Sequence, residues 1–313
     1  GKRAIIGAGF AADGEAAAYI ASTSTNPGEL WWWSADGSEE KLTDLNGSLE
    51  ADMVEPSSFT IEHEGITVEG WAYLPPGTGT VPTLLNIHGG PATQYGWGFF
   101  DEFQVYVGAG YGVVATNPRG SSGYGQDHVQ AVLGEWQTED PPDMRDLEAA
   151  VDAAAAVEPR LDVDNVGVMG GSYGGLATVR LIAANQRYKS AVAERGLYVF
   201  HSFTGTSDSG PWFSRLYQAN EAIDSVETMW NASSMKGFAN ITTPTLILHS
   251  ENDFRCPIEQ AEQLFAAMLR NGTPVELLRF PAPASHELSR SGKPRHRVDR
   301  FEAIIEWHDR NMK

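Results

Sequence analysis

Residues 166–175 read Val-Gly-Val-Met-Gly-Gly-Ser-Tyr-Gly-Gly, and this stretch decides the fold. The apolar residues at its start predict a buried strand, and residues 176–184 predict a helix. Between them, the pattern G-x-S-x-G predicts a turn so sharp that small residues are needed two positions before and after Ser172. We therefore expect Ser172 to stand above the edge of a sheet, at the start of a helix.

Outward from this turn, residues 58–313 alternate between short apolar strands and helical segments. Strands are predicted at 59–63, 68–74, 83–88, 113–117, 165–169, 245–249 and 275–280. Helices are predicted at 144–156, 176–184, 258–270 and 297–311. This alternation predicts an α/β domain with a mainly parallel central sheet covered on both faces.

Residues 1–57 have a different pattern, in which short alternating stretches are separated by turns. Aromatic residues at 31–33 and Asp-Gly and Asn-Gly pairs predict a small β-meander. So few hairpin residues bury little apolar surface by themselves. We therefore predict two units, a short all-β segment at 1–57 and the α/β domain at 58–313.

An acid and then a histidine follow Ser172 in the order that the α/β-hydrolase fold requires. Asp253 lies in the loop after predicted strand 245–249, where Glu251 is the competing acid. His286 lies in the loop after predicted strand 275–280. A serine hydroxyl needs a base, and the base needs a group that orients it. The sequence therefore predicts a catalytic triad of Ser172, His286 and an acid of this loop, and we favour Asp253 over Glu251 because Asp253-x-Arg255 resembles a motif of a known family.

Backbone donors for a reaction oxyanion are predicted at two places. One is the N–H of Tyr173, the residue directly after the nucleophile. The other lies in the loop after predicted strand 83–88, which reads His-Gly-Gly-Pro at 88–91. Because glycines let a backbone approach a substrate closely, we assign this second donor to Gly90.

Five motifs together resemble the prolyl oligopeptidase family of serine peptidases, and they are closest to its acylaminoacyl-peptidase branch. They are Gly-Gly-Ser-Tyr-Gly-Gly at 170–175, His-Gly-Gly-Pro at 88–91, Asn-Pro-Arg-Gly-Ser-Ser-Gly-Tyr-Gly at 117–125, Asp-Phe-Arg-Cys-Pro at 253–257 and His-Glu-Leu-Ser-Arg-Ser-Gly at 286–292. The resemblance extends from about residue 58 to residue 313. Several independent motifs in one order make it specific.

The resemblance also has implications for residues 1–57. Members of the family carry an N-terminal β-propeller that restricts access to the active site, and residues 1–57 are similar to its last blade and the following linker. The earlier blades do not occur in these 313 residues. This implies either a fragment or a partner chain that supplies them. The family also implies that a homo-oligomer is a candidate assembly.

Three residues are candidates for substrate binding through the same resemblance. Arg255 would contact a carbonyl or carboxylate of a bound peptide, and a salt bridge to Asp253 or Glu251 is the alternative that stays open. Trp212 and Phe213 lie where the family builds the pocket for the residue before the scissile bond.

The predicted function is therefore hydrolysis of short peptides, with N-acylated peptides as candidate substrates, through an acyl-enzyme. Two other functions stay open. One is a carboxylesterase-like hydrolase, because the same triad attacks esters and a fold does not fix the substrate. The other is a catalytically silent fragment that needs the missing propeller. No H-E-x-x-H or paired-cysteine spacing occurs, so we predict no metal and no cofactor.

Composition narrows the class of partner and the compartment. A formal net charge of −19 argues against nucleic acid, whose phosphates demand a basic surface. The basic residues from Arg290 to Arg300 are predicted to be the solvated start of a C-terminal helix. No apolar run is long enough to span a bilayer. The single cysteine, Cys256, fits a reducing compartment, so we expect a cytoplasmic protein without a membrane partner.

Overall fold

A computed structural model describes residues 1–218 and 225–313. The first part of the chain forms a four-stranded antiparallel sheet in the order β1-β2-β3-β4. Its strands are β1 (Ala4–Phe10), β2 (Ala16–Ser22), β3 (Glu29–Ser34) and β4 (Glu39–Lys41). A short helix, α1 (Gly47–Glu50), follows in the connection to the rest of the chain. We call these four strands the small sheet.

The second sheet has eight strands in the order β5-β6-β8-β7-β9-β10-β11-β12. Its strands are β5 (Ser57–His63), β6 (Ile66–Tyr73), β7 (Val81–Ile87), β8 (Gly112–Thr116), β9 (Leu161–Gly171), β10 (Tyr188–Glu194), β11 (Thr245–Ser250) and β12 (Val275–Phe280). In the part of the sheet from β8 to β12, all neighbouring strands are parallel. At the other edge, β5 pairs antiparallel with β6, and β6 pairs antiparallel with β8. This large sheet confirms the predicted α/β-hydrolase class.

Helices cover both faces of the large sheet. They are α2 (Asp101–Gly108), α3 (Gln126–Gln130), α4 (Pro142–Val157), α5 (Tyr173–Ala184), α6 (Phe200–Thr206), α7 (Gly210–Tyr217), α8 (Val226–Ala232), α9 (Glu259–Asn271), α10 (Leu288–Ser291) and α11 (Pro294–Met312). Side chains alternate across a strand, so Leu84 and Leu85 of β7 belong to different cores. Leu85 shares a buried cluster with Leu147 of α4, whereas Leu84 shares one with Ile304 of α11.

The two sheets meet along the segment that follows β7. Phe99 N–H donates to Ser22 Oγ at the end of β2, over 2.9 Å. The buried Gln104 side chain on α2 donates to Ser24 O and exchanges two hydrogen bonds with the backbone of Val54. β5 begins at Ser57, so the predicted division after residue 57 lies one residue inside this strand, and the division into two units stays a prediction.

The carboxyl ends of the parallel strands meet at one edge of the large sheet. The loops after β7, β9, β11 and β12 carry Gly90, Ser172, Asp253 and His286, respectively. Open α/β sheets bind ligands at this edge. In the described part of the chain, no helix combines the length and apolar character needed to cross a membrane.

Candidate active site

Ser172 occupies the turn between β9 and α5, with φ 63° and ψ −121°. This is a left-handed conformation that a non-glycine residue adopts only when the surrounding structure enforces it. A Cβ on Gly170 would lie 2.6 Å from Ile87 O, and a Cβ on Gly174 would collide with the same oxygen. The two glycines therefore let the turn pack directly on the end of β7, which lifts Ser172 above the sheet edge.

The three predicted triad residues form one chain of hydrogen bonds. His286 Nδ1 lies 2.8 Å from Asp253 Oδ2, and His286 Nε2 lies 3.1 Å from Ser172 Oγ. Because an ionised carboxylate only accepts, Nδ1–H donates to Asp253, and this leaves Nε2 of the neutral ring as an acceptor for the serine hydroxyl. This is the arrangement that a general base for Ser172 requires.

The buried carboxylate of Asp253 is held by the backbone of its own loop. Oδ1 accepts N–H donors from Arg255 at 2.9 Å and from Cys256 at 2.8 Å, which leaves Oδ2 for His286. His249 Nε2 lies 3.6 Å from Oδ2 but donates to Cys256 O at 2.7 Å. Burial lowers the pKa of His249, so this ring is a neutral neighbour of the triad.

The predicted oxyanion donors lie at the first residue of α5 and in the loop after β7. The N–H groups of Tyr173 and Gly90 donate to no other group in residues 1–218 and 225–313. Gly90 lines the same cavity as Ser172 and His286. His88 fixes the start of this loop by donating from Nδ1 to Gly89 O over 2.7 Å, and burial lowers the pKa of His88 to about 4.

The Tyr173 side chain points into the core, so only its backbone can serve an oxyanion. Its hydroxyl donates to Asp143 Oδ2 over 2.7 Å, and its ring stacks on Trp136 with centroids 5.7 Å apart. Trp136 Nε1 donates to the same carboxylate oxygen at 2.9 Å. Both aromatic rings and the carboxylate are buried. The first turn of α5 is thereby anchored, and with it the donor beside Ser172.

A cavity of about 290 Å³ opens in front of the triad and contains the predicted substrate-binding residues. Its aromatic wall comes from α6 and α7, where Phe213 packs against Tyr217 at 4.5 Å and against Phe203 at 5.6 Å between ring centroids. Phe213 is buried in this wall. Trp212 is 64% exposed and lies at the rim. The two predicted pocket residues therefore occupy different places.

Arg255 lines the cavity, but its salt bridge differs from the predicted alternative. Its Nε donates to Asp208 Oδ1 over 2.7 Å. Glu251 instead pairs with Arg279 at 3.3 Å. The alternative of a salt bridge to Asp253 or Glu251 was wrong, because the loop between α6 and α7 brings Asp208 to the guanidinium. Contact between Arg255 and substrate stays a prediction.

A second cavity, of about 390 Å³, lies behind the oxyanion loop and was not predicted. It shares Gly89, Thr93, Arg195 and Arg290 with the cavity in front of the triad. Its walls include aromatic residues of the segment that precedes and forms α2. Nothing in the spacing of these residues along the chain indicated a common cavity.

The prediction that the basic residues from Arg290 to Arg300 are solvated was wrong for Arg300. The helix does begin there, at Pro294, but Arg300 is buried rather than solvated. Its Nη2 pairs with Glu194 at 2.7 Å and with Glu102 at 3.0 Å. Burial opposes the charged form of Glu194, yet Arg300 and then Arg195 lower the pKa of Glu194 to about 2.

A sequence signal for the burial of Arg300 exists. Ile304 and Trp307 follow at helical spacing and are both buried, so Arg300 lies on the apolar stripe of α11.

For the described residues, no group of three His, Cys, Asp or Glu side chains is arranged to hold a metal ion.

Comparisons with known proteins agree with the fold and the motifs. The profile of the prolyl oligopeptidase family matches residues 97–313. An uncharacterized peptidase of Bacillus subtilis, YuxL, is 41% identical over 94% of this chain and 45% of its own length. The human acylamino-acid-releasing enzyme is 25% identical over 82% of this chain and 36% of its own length.

Solved structures of acylaminoacyl peptidases superpose on the whole chain. The uncomplexed enzyme of Pyrococcus horikoshii has a TM-score of 0.92 at 30% identity, and the match covers 100% of this chain and 50% of that one. An acylaminoacyl peptidase in complex with Z-Gly-Gly-Phe-chloromethyl ketone gives the same values. The chain thus spans between about a third and half of the length of the relatives it matches.

Proposed function

The chain belongs to the prolyl oligopeptidase family, and on that premise we propose that it hydrolyses short peptides, N-acylated ones included, as a serine peptidase. The observation that carries the proposal is the continuous chain of hydrogen bonds from Ser172 through His286 to Asp253. It lies at the sheet edge, beside two backbone N–H groups without a protein acceptor in the described residues.

The proposed reaction proceeds through an acyl-enzyme. Ser172 Oγ attacks the scissile carbonyl carbon while its proton passes to His286 Nε2. Asp253 keeps Nδ1–H in place and stabilises the imidazolium that forms. The N–H groups of Tyr173 and Gly90 receive the negative charge on the carbonyl oxygen. His286 then protonates the leaving amine, and a water molecule repeats the sequence to release the acyl group.

The aromatic wall of the cavity supports the proposed substrate class. Phe203, Phe213 and Tyr217 present apolar ring surface close to Ser172, which suits an apolar side chain before the scissile bond. The inhibitor of the neighbouring acylaminoacyl peptidase ends in Phe, which is consistent with this preference. Arg255, held by Asp208, would donate to a carbonyl farther toward the N-terminus of the peptide.

The proposal also includes the partners of the chain and the compartment in which it works. The exposed apolar residues Ile5, Ile6 and Phe10 on β1 suit a neighbouring β-structure, such as further propeller blades on a longer chain or on a separate one. A homo-oligomer is the other partner that the family suggests. Cys256 is buried and unpaired, which is consistent with a cytoplasmic location.

The test is hydrolysis of acetyl-alanyl, acetyl-phenylalanyl and free-amino p-nitroanilides and of p-nitrophenyl butyrate, by this chain and by Ser172→Ala. We expect anilide cleavage that is lost in the variant, with acetyl-phenylalanyl preferred over the free amine. Ester cleavage alone, lost in the variant, would favour the carboxylesterase function. The absence of Ser172-dependent turnover would favour a silent fragment that needs further chain.

A further inference from the structure

Glu194 ends β10, the strand between the one that carries Ser172 and the one that leads to Asp253, and Arg195 directly follows it. Ser172 N–H donates to Glu194 O at 3.0 Å, and Arg195 N–H donates to Leu248 O of β11 at 2.8 Å. Arg195 has φ 40°, a left-handed conformation that is uncommon for a residue with a side chain. The backbone at this point therefore connects the nucleophile turn with the strand before the acid.

The Arg195 side chain contacts the third loop of the predicted triad, the one that contains His286. Its Nε donates to His286 O over 2.6 Å, and its Nη2 donates to Ser289 Oγ over 2.9 Å. The guanidinium lies against Gly171, where an added Cβ would collide with Nη1. Arg195 is only 7% exposed, and it lines both the cavity in front of Ser172 and the second cavity. One planar group thus touches the nucleophile turn and the histidine loop together.

The charge of Arg195 is not matched by a carboxylate in contact. Within the described ranges it makes no salt bridge, whereas its neighbour Glu194 pairs with Arg300. A buried guanidinium without a contacting carboxylate contributes little to stability by charge pairing, because desolvation opposes it. Its hydrogen bonds go instead to a carbonyl and a hydroxyl of the histidine loop, where a rigid fork fixes geometry.

We propose that Arg195 is a positioning residue, which holds the loop containing His286 and Ser289 so that His286 Nε2 stays within hydrogen-bond reach of Ser172 Oγ. The inference rests on the proposed function, since it assigns a role within that triad. A misplacement of about 1 Å in a catalytic group can reduce a rate about 100-fold, so a fork that fixes this loop has a measurable effect.

The test compares Arg195→Met and Arg195→Lys with Arg187→Met as the matched control. Arg187 lies at the opposite end of β10 and pairs with Asp152 at 2.8 Å, away from the site. We expect labelling of Ser172 by a fluorophosphonate, and kcat for p-nitrophenyl butyrate, to fall about 10- to 100-fold in both Arg195 variants. KM stays within about 2-fold, because the variants displace the base rather than the pocket. Arg187→Met labels at the wild-type rate.

Two further readouts separate positioning from a loss of folding. Ser289→Ala, which removes one of the two acceptors, should slow labelling by about 2- to 5-fold at an unchanged unfolding midpoint. Millimolar methylguanidinium should restore part of the labelling rate of Arg195→Ala, since the side chain borders a cavity. Wild-type labelling rates in both Arg195→Lys and Ser289→Ala would overturn the inference. So would a loss in Arg195→Met that equals its unfolded fraction.

A proton NMR measurement makes the result independent of turnover. The resonance of the imidazole N–H that donates from His286 to Asp253 should be present in the wild-type chain and in Arg187→Met. It should broaden or disappear in the Arg195 variants. If wild-type Ser172 is not labelled, the proposed function fails, and this resonance still decides the inference. An unchanged resonance in the Arg195 variants contradicts it.

Discussion

The two sheets of this molecule differ in how far their apolar residues are buried. In the large sheet every residue of β8 is buried, and helices cover both faces. In the small sheet, β1 is exposed along most of its length, and Phe10 is 76% exposed. Since apolar burial is the main favourable term in folding, the large sheet carries most of the stability of this chain.

The same difference holds for the candidate site. The predicted triad and Gly90 lie in loops after strands of the large sheet, and Tyr173 is the first residue of the helix that follows the Ser172 turn. Of the two cavities described above, the small sheet lines the second one, through Ala4. Changes in the large sheet should therefore alter both stability and catalysis, whereas changes in the small sheet should have a much smaller effect on either.

The largest expected effect comes from a change in the triad that removes no volume. Asp253→Asn should lower kcat by about 10⁴-fold, because an amide nitrogen facing His286 favours the wrong tautomer of the ring. The measurement is p-nitrophenyl butyrate hydrolysis together with circular dichroism, and the spectrum should not change.

Glu251→Gln is the control for that variant, since Glu251 lies in the same loop but pairs with Arg279 on the surface. Its kcat should stay within about 2-fold of the wild-type value. Equal losses in the two variants would show that the loop, and not the carboxylate of Asp253, determines the rate.

A matched truncation in the two sheets tests the difference in stability. Leu84→Ala in β7, where the side chain is fully buried, should lower the free energy of unfolding by about 2–5 kcal/mol. Ile5→Ala in β1, where the side chain is 52% exposed, should change it by about 0.5 kcal/mol or less. Urea unfolding of both variants provides the values. Similar losses would contradict the assignment of the core to the large sheet.

Acid sensitivity provides a third comparison, since each sheet has one glutamate whose pKa is lowered to about 2. Burial opposes ionisation of Glu194, but Arg300 outweighs it, whereas hydrogen bonds from Thr43 and from the backbone of Leu45 and Asn46 act on Glu29. A lowered folded-state pKa stabilises above the unfolded value of about 4.5, and this stabilisation is lost as pH falls toward 2.

Glu194→Gln should therefore cost up to about 3 kcal/mol of unfolding free energy at pH 7, and the difference from wild type should shrink between pH 5 and pH 2. Glu29→Gln should affect only the small sheet, as faster hydrogen exchange of its amides at neutral pH. Urea unfolding as a function of pH, with hydrogen exchange beside it, checks both. A constant deficit of Glu194→Gln at every pH would indicate a packing defect instead.

The smallest expected effect lies at the contact between the sheets. Gln104→Ala removes the hydrogen bonds to Ser24 O and to Val54, and should raise hydrogen exchange of the small-sheet amides by about 10-fold. Fluorophosphonate labelling of Ser172 should remain at the wild-type rate. A drop in labelling would show that the small sheet supports the site through α2.

Much of the fold followed from local signals in the sequence. The turn at Ser172 requires glycines beside it, and the chain order of Asp253 and His286 after separate strands is dictated by sheet topology. The strand β10 was not predicted, because its sequence Tyr-Lys-Ser-Ala-Val-Ala-Glu contains two charged residues, Lys189 and Glu194, and two alanines, all of which are depleted in strands. Helices α6 to α8 were not predicted either, because each has eight residues or fewer and is too short for a periodic pattern to identify it.

The predicted residues of the site are those that residue type and position after a strand are enough to identify. Arg300 and the Arg255–Asp208 pair depend on contacts between residues far apart in the chain, and no local pattern specifies these partners. The same holds for Arg195, whose acceptors lie on a loop about 90 residues later. Long-range pairing of charged groups is therefore the part of the site that required the structure.

The most direct test of the central claim is reaction of this chain with a fluorophosphonate, followed by peptide mass mapping, beside Ser172→Ala. We expect a single adduct on the peptide that contains Ser172, none in the variant, and a wild-type circular dichroism spectrum for both proteins. Labelling that persists in Ser172→Ala, or a folded wild-type chain that does not react, would contradict the assignment of Ser172 as the activated nucleophile.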